Sequence, residues 1–491
     1  MGRLIVRMGK WLAGAVLVVF VLLLAWAFQS RTMAELSVWH TAPLTNEFKA
    51  ADATPTTTLK EYLAREDALF AEVDDTVYGH VARSDTTLFS RYLAGSTQDP
   101  RQFQPNWNRT AELVPDAIRG GVLLLHGLTD SPYSLRHIAR RYRDDGFVAV
   151  AARMPGHGTV PSGLSTIEWE QWTAATRLAV RQARRLAGPS APLHVIGFSN
   201  GGALAMKYAL DAIDDKTLAR PDRIVLISPM IGITSLARFA GVMGWPAVLP
   251  RFAKAAWLGI VPEFNPFKYN SFPVNAARQS SLVARRLQQQ IASHATDGKM
   301  GELAPILTFQ SVVDFTVSTR AIVNALYLNL PANGSELVLF DLNRNTKIGT
   351  LLRANTDTVL TRLLPDPPRT FRTTVITNAS PSSAEVVERV TEAGATTEQT
   401  RALGLMYPRE VFSLSHLALT FPINDSLYGL QPDLPEEYGV NLGSMATRGE
   451  RGTLIVSVDS LSRMSSNPFF PYLMQRIEEG IGKGGPIVPR N

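Results

Sequence analysis

Between residues 121 and 228, short uninterrupted apolar runs alternate with longer helical stretches, and few folds satisfy that rhythm. The runs at 121–128, 147–153, 193–198 and 223–228 read as strands, and 134–145, 167–186 and 202–213 read as helices. A strand that is apolar on both faces needs cover on both. A helix between consecutive strands supplies it and returns the chain to run parallel to the last strand. The spacing therefore predicts the α/β class, a mostly parallel central sheet flanked by helices. Further on, a strand at 305–309, a helix at 322–330 and strands at 336–340 and 452–458 continue the pattern, and a helix at 471–480 closes it.

Two stretches break the rhythm. Residues 236–291 are helical in character and rich in large rings, Trp245, Phe252, Trp257, Phe264 and Tyr269 among them. Placed between two sheet strands, on the side where strands end, this excursion is expected to form a helical cap (234–303) over a site. Residues 343–400 are expected to be an irregular insertion, with one strand at 371–377 and a Ser/Ala/Glu/Thr-rich segment at 380–400. The core domain is expected over 118–491. Ahead of it, an extension (31–117) is polar apart from one amphipathic helix near 59–73. It is either a spacer or a belt packed on the domain.

Trp11 to Phe28 carry no charge and follow Arg3, Arg7 and Lys10. Such a run is near the lower limit for crossing a bilayer. Residues 1–30 are therefore expected to anchor the chain in a membrane, basic cluster inside and the remainder exported, most simply to a bacterial periplasm. The alternative is a signal peptide cleaved near Ala25-Trp26-Ala27, which leaves a secreted protein.

Composition narrows the chemistry. The net charge of +6 over 491 residues forms no nucleic-acid surface, so no nucleic-acid partner is expected. With no cysteine, disulfides, thiolate zinc sites and a cysteine nucleophile are excluded. The eight histidines are scattered without an H-E-x-x-H pattern, so neither a metal nor a cofactor is expected.

Gly197-Phe198-Ser199-Asn200-Gly201 joins an apolar run to a helical stretch. In a chain with 35 glycines the pattern alone is weak, and its place at a strand-to-helix turn is what carries weight. A serine there is presented for attack on a carbonyl, provided a base, an orienting acid and two N–H donors surround it. In a sheet of this kind the order is serine, acid, histidine. Only His294 and His416 follow Ser199. His294 precedes the strand that leads to Asp314, which is the wrong order, so His416 is the expected base. Asp314, just past an apolar strand, is the favoured acid, with Asp341 as runner-up. The expected oxyanion donors are the backbone N–H groups of Asn200 and of Leu128, in the His126-Gly127-Leu128-Thr129-Asp130 loop. His126 and His157 read as structural anchors of their turns.

Three segments, Leu123 to Pro132, Arg153 to Gly158 and Gly197 to Gly202, together resemble the α/β-hydrolase superfamily. Within it they are similar to the branch of monoacylglycerol lipases, bacterial carboxylesterases and serine aminopeptidases. The resemblance covers roughly 119–317 and, more loosely, His416. It implies the α/β-hydrolase fold, a Ser199–Asp314–His416 triad with Leu128 and Asn200 as oxyanion donors, and hydrolysis of a small-molecule ester through an acyl-enzyme. An apolar acyl chain is expected from the aromatic cap and the anchor. A peptidase or transacylase on the same triad, or a non-catalytic tethered binding protein, are the alternatives. The chain departs from that family in one respect: 102 residues separate acid and histidine, where a few tens are usual.

Overall fold

The computed structural model describes residues 2–82, 88–232, 243–314, 316–345, 359–408, 411, 413–432, 436–443, 466–482 and 488–489. The strand expected at 452–458, and residues 234–242 of the expected cap, lie outside them.

Among the described residues, ten strands form the main sheet: β1 (Ala111–Leu113), β2 (Gly120–Leu125), β3 (Phe147–Ala152), β4 (Leu193–Phe198), β5 (Arg223–Ile227), β6 (Ile306–Ser311), β7 (Glu336–Phe340), β8 (Arg372–Asn378), β9 (Glu385–Thr391) and β10 (Glu398–Met406). Their spatial order is β1-β3-β2-β4-β5-β6-β7-β8-β9-β10. From β3 to β8 every neighbouring pair is parallel; β1, β9 and β10 pair antiparallel at the two edges.

The longer helices among the described residues are α1 (Gly2–Ser30), α2 (Leu59–Thr76), α3 (Arg136–Asp144), α4 (Trp169–Ala187), α5 (Asn200–Asp214), α6 (Val274–Thr296) and α7 (Phe470–Glu478). Successive strand residues point to opposite faces, which divides the core in two. Leu123 and Leu125 pack with residues of α4, α5 and α6, whereas Val122 and Leu124 pack with residues of α3 and α7. Every residue of β2, β3 and β4 is buried, the consequence of cover on both faces.

The irregular insertion expected at 343–400 is, from Arg372 onward, part of the sheet. β8 pairs parallel to β7, and β9 and β10 return beside it as a meander. The 380–400 segment looked irregular because β9 buries polar Glu388 and Thr391 among its valines, and β10, which begins at Glu398, lies at an edge and is largely exposed, so neither has an apolar signature. Much of the expected helical excursion is not helix either. Trp245–Val248 and Pro250–Ala256 are 3-10 turns, Trp257–Gly259 pairs with Phe272–Pro273, and a long helix begins only at Val274. Pro246, Pro250, Pro262, Pro266 and Pro273 lack the N–H that an α-helix needs, and they were visible in the sequence.

The N-terminal extension is a belt on the domain. Phe48, Leu59 and Tyr62 join the larger core cluster. Arg153, at the end of β3, is buried between Glu47 (3.0 Å) and Glu66 (2.9 Å) of the extension, and its carbonyl accepts from the Tyr62 hydroxyl at 2.6 Å.

Candidate active site

Consecutive connections from β2 lead to opposite sides, first to β3 and then across to β4. A crevice opens where such connections diverge, at the carboxyl ends of the strands. The 126–130 loop follows β2 there, and Ser199 follows β4.

Ser199 has φ 54° and ψ −117°, a backbone conformation that a non-glycine residue holds only under constraint. The constraint is visible. The Ser199 N–H donates to Ile227 O at 3.0 Å, and its carbonyl accepts from Met230 N at 2.9 Å and Gly202 N at 3.0 Å. The flanking glycines answer a packing need. A side chain at Gly197 would collide with the Gly201 carbonyl, and one at Gly201 with the Leu125 carbonyl. As the first residue of α5, Asn200 has an N–H with no partner inside the helix.

The loop bearing Leu128 lies against the serine. A Cβ at Gly127 would sit 3.2 Å from Ser199 Cβ and 3.1 Å from the Phe198 ring. His126 anchors that loop: its Nε2 accepts from Met154 N at 3.0 Å, so Nδ1 keeps the proton and donates to Gly127 O at 2.8 Å. Burial pushes its pKa down to about 3, and Arg153 and Lys268 push the same way, so the ring is a neutral tether at physiological pH. His157 is likewise buried and held well below the usual range, first by desolvation and then by the neighbouring His126.

His416 Nδ1 meets Asp314 Oδ2 at 2.8 Å. The Asp314 side chain is fully shielded and that of His416 is 11% exposed. Asp314 Oδ1 accepts from Thr316 N (2.7 Å) and Val317 N (3.0 Å), and Gln310 Nε2 donates to Oδ2 at 3.2 Å. Burial opposes ionisation of this carboxyl. The facing His416 and these hydrogen bonds outweigh it, and the net shift is below the ordinary value. The His416 ring lies 5.1 Å from that of Phe198, the residue before Ser199.

Asp341 is engaged elsewhere, accepting from Thr377 Oγ1 at 3.0 Å and Arg344 Nε at 3.1 Å. His294 lies 3.1 Å from Asp214, the last residue of α5, whereas Ser199 precedes the first. The helix thus holds the two apart by about 20 Å at 1.5 Å per residue.

Sequence reasoning missed two neighbours. Gln310, four residues before Asp314 in β6, steadies its carboxylate, and an amide at the end of an apolar strand was the available signal. Lys268 donates to Thr129 Oγ1 at 2.9 Å while Tyr269 N donates to Thr129 O at 2.8 Å, which docks the excursion before α6 onto the 126–130 loop. No sequence pattern announced that contact.

Residues 116–332 match the family described as serine aminopeptidase, S33. With the strand order above, this decides the fold. That segment is similar to the family, and the chain has an α/β-hydrolase fold. It is similar to a thermostable monoacylglycerol lipase of Bacillus sp. (strain H-257), 28% identical over 201 residues that span 40% of this chain and 71% of the lipase. Among solved structures, a metagenome-derived lipolytic enzyme is 23% identical, with 53% of this chain and 97% of that chain covered and a TM-score of 0.38. The monoacylglycerol lipase of Paleococcus ferrophilus is 17% identical, with 51% and 98% covered and a TM-score of 0.35.

Proposed function

We propose that this hydrolase cleaves carboxylic esters through an acyl-enzyme formed on Ser199. The observation that carries the reading is the buried 2.8 Å hydrogen bond between His416 and Asp314, beside the strained serine turn. In this reading Asp314 holds the His416 proton on Nδ1 and leaves Nε2 to take the proton of Ser199 as its oxygen attacks the ester carbonyl. The N–H groups of Leu128 and Asn200 receive the charge on the carbonyl oxygen, and loss of one such donor costs about 3–4 kcal/mol of transition-state stabilisation. His416 then protonates the departing alcohol, and a water activated the same way releases the acid. No cofactor enters the scheme.

The lipase similarity and the ring-rich excursion that docks on Thr129 support a small ester with an apolar acyl chain. The anchor reading of α1 places the protein in a membrane with its hydrolase domain outside, in a bacterial periplasm. The aminopeptidase description of the matched family favours one second reading, amide cleavage or transfer on the same residues. A fluorophosphonate probe tests the serine. Labelling of the folded protein that disappears in Ser199→Ala supports it, and labelling that persists at another residue overturns it. Rates on acyl esters against amino-acid amides then choose between the readings.

A further inference from the structure

α1 includes a stretch, Lys10–Ser30, of mean hydropathy 2.6 over its most apolar window, and Val16 to Leu22 are all exposed. Twenty-one residues reach about 30 Å as a helix, the thickness of a bilayer's hydrocarbon core. In the last turns only Leu23, Trp26, Ala27 and Ser30 are shielded, a spacing that lines one face. Both 3-10 turns of the excursion, Trp245–Val248 and Pro250–Ala256, pack against α1. Trp26 Nε1 donates to Ala255 O at 3.3 Å, and the rings of Phe28 and Phe252 meet edge to face at 5.9 Å. The shielded face begins about 10 Å before the helix ends, counting 1.5 Å per residue from Leu23 to Ser30. That is the depth of the headgroup and outer acyl boundary.

The first of these turns carries Trp245 and Val248, and Leu249 joins it to the second; they are 65%, 84% and 59% exposed. Large apolar side chains crowded this closely have no covering partner among the described residues. Tryptophan favours the boundary between lipid and water, and exposed Arg251 adds a cation at the level where lipid phosphates lie.

We propose that Trp245, Val248 and Leu249 are seated in the outer leaflet of the bilayer that α1 crosses, so that an acyl substrate passes to the serine directly from lipid. The second half rests on the esterase reading; the seating rests only on the anchor reading of α1. Continuity of chain links the two. The segment that dips into lipid runs on to Lys268 and Tyr269, which hold the Thr129 loop beside Ser199.

The absence of cysteine permits a clean test on the full chain in vesicles of phosphatidylcholine and phosphatidylglycerol. An environment-sensitive fluorophore is attached to Val248→Cys and, as a control, to Arg401→Cys on edge strand β10. The expected result is a blue shift at 248, quenching by nitroxide-bearing lipid, and aqueous iodide quenching about threefold weaker than at 401. Equal iodide quenching at both positions overturns the seating. So does a 248 label shielded from iodide but untouched by lipid nitroxide, which would indicate a second copy of the chain.

The substrate route is read separately. The Trp245→Ser/Leu249→Ser variant is expected to turn over a long-chain monoester dissolved in the vesicles about tenfold more slowly, with its rate on a soluble short-chain ester unchanged. An equal loss on both substrates overturns the route. If the unaltered protein cleaves neither ester, the esterase reading falls, while the fluorescence result still decides the seating.

Discussion

His416 Nδ1 and Asp314 Oδ2 lie 2.8 Å apart although 102 residues separate them in the chain. Parallel neighbours explain the meeting. β6 and β7 end side by side, with Val312 N donating to Phe340 O, so Asp314 and Asp341 emerge at one edge. The chain then builds β8, β9 and β10 and comes back to that edge. The Tyr407 hydroxyl donates to Asp341 O at 2.8 Å, and Asn343 Nδ2 donates to Pro408 O at 3.0 Å and to Val411 O at 2.8 Å. Five residues after Val411 comes His416.

Asp314→Asn is expected to lower kcat by about 10⁴-fold with little change in KM, because an amide no longer fixes the imidazole tautomer. Asp341→Asn is expected to leave kcat within about threefold, since its carboxylate serves Thr377 and Arg344. Steady-state kinetics on one soluble ester compares the pair. The opposite ranking would move the acid to Asp341.

Removing the proposed base should cost at least as much. His416→Ala is expected to reduce kcat by about 10⁴-fold or more, and adding Ser199→Ala to it should cost little further, because groups acting as one unit are not additive. Additive losses in that pair would show that the two residues do not share a step.

Two glycines separate folding from function. Gly201→Ala drives a methyl into the Leu125 and His126 carbonyls at the sheet's end, and a loss of about 1–3 kcal/mol or more in denaturant unfolding is expected. Gly127→Ala needs only small shifts of the Phe198 ring and Ser199, so stability should hold. The displaced Leu128 N–H should then lower kcat by about 10- to 100-fold. A Gly127→Ala protein with full activity would remove that loop from the mechanism.

Beyond His416, the chain is fixed by Asp425, which meets buried Arg136 at 2.6 Å and His137 at 2.9 Å and accepts from the Tyr133 hydroxyl at 3.1 Å. Asp425→Ala leaves Arg136 without this buried partner, and a loss of about 3–5 kcal/mol is expected at neutral pH. Burial raises the Asp425 pKa, but Arg136 and His137 more than reverse this and hold it well below the usual carboxylate range. The unfolded chain therefore takes up the proton first, and the stabilisation, complete above about pH 4, is lost as pH falls toward the folded value. His137 is held below its ordinary value by burial and by Arg136, which adds a slope of the same sign from about pH 6.5 downward. Denaturant midpoints between pH 3 and 7 should fall steeply for the natural chain and less so for Asp425→Ala. Parallel slopes would remove Asp425 from the pH response.

The alternation of apolar runs determined the α/β class and the strands from β2 to β7 to within a few residues, because a strand covered on both faces has no polar face to disguise it. The same logic failed at β9 and β10. Their half-exposed pattern reads as polar loop, and only pairing, of β9 with β8 and of β10 with β9, makes strands of them. Around Ser199 the local signal was strong, since tight backbone approaches admit only glycine and leave that mark in the sequence. The choice between Asp314 and Asp341 was never local. Both follow apolar strands of one parallel sheet, and which carboxylate meets His416 was decided by where three later strands return the chain. The contact of α1 with the turns before α6 was equally invisible, because a helix that is apolar all round carries no periodic mark of the face it will bury.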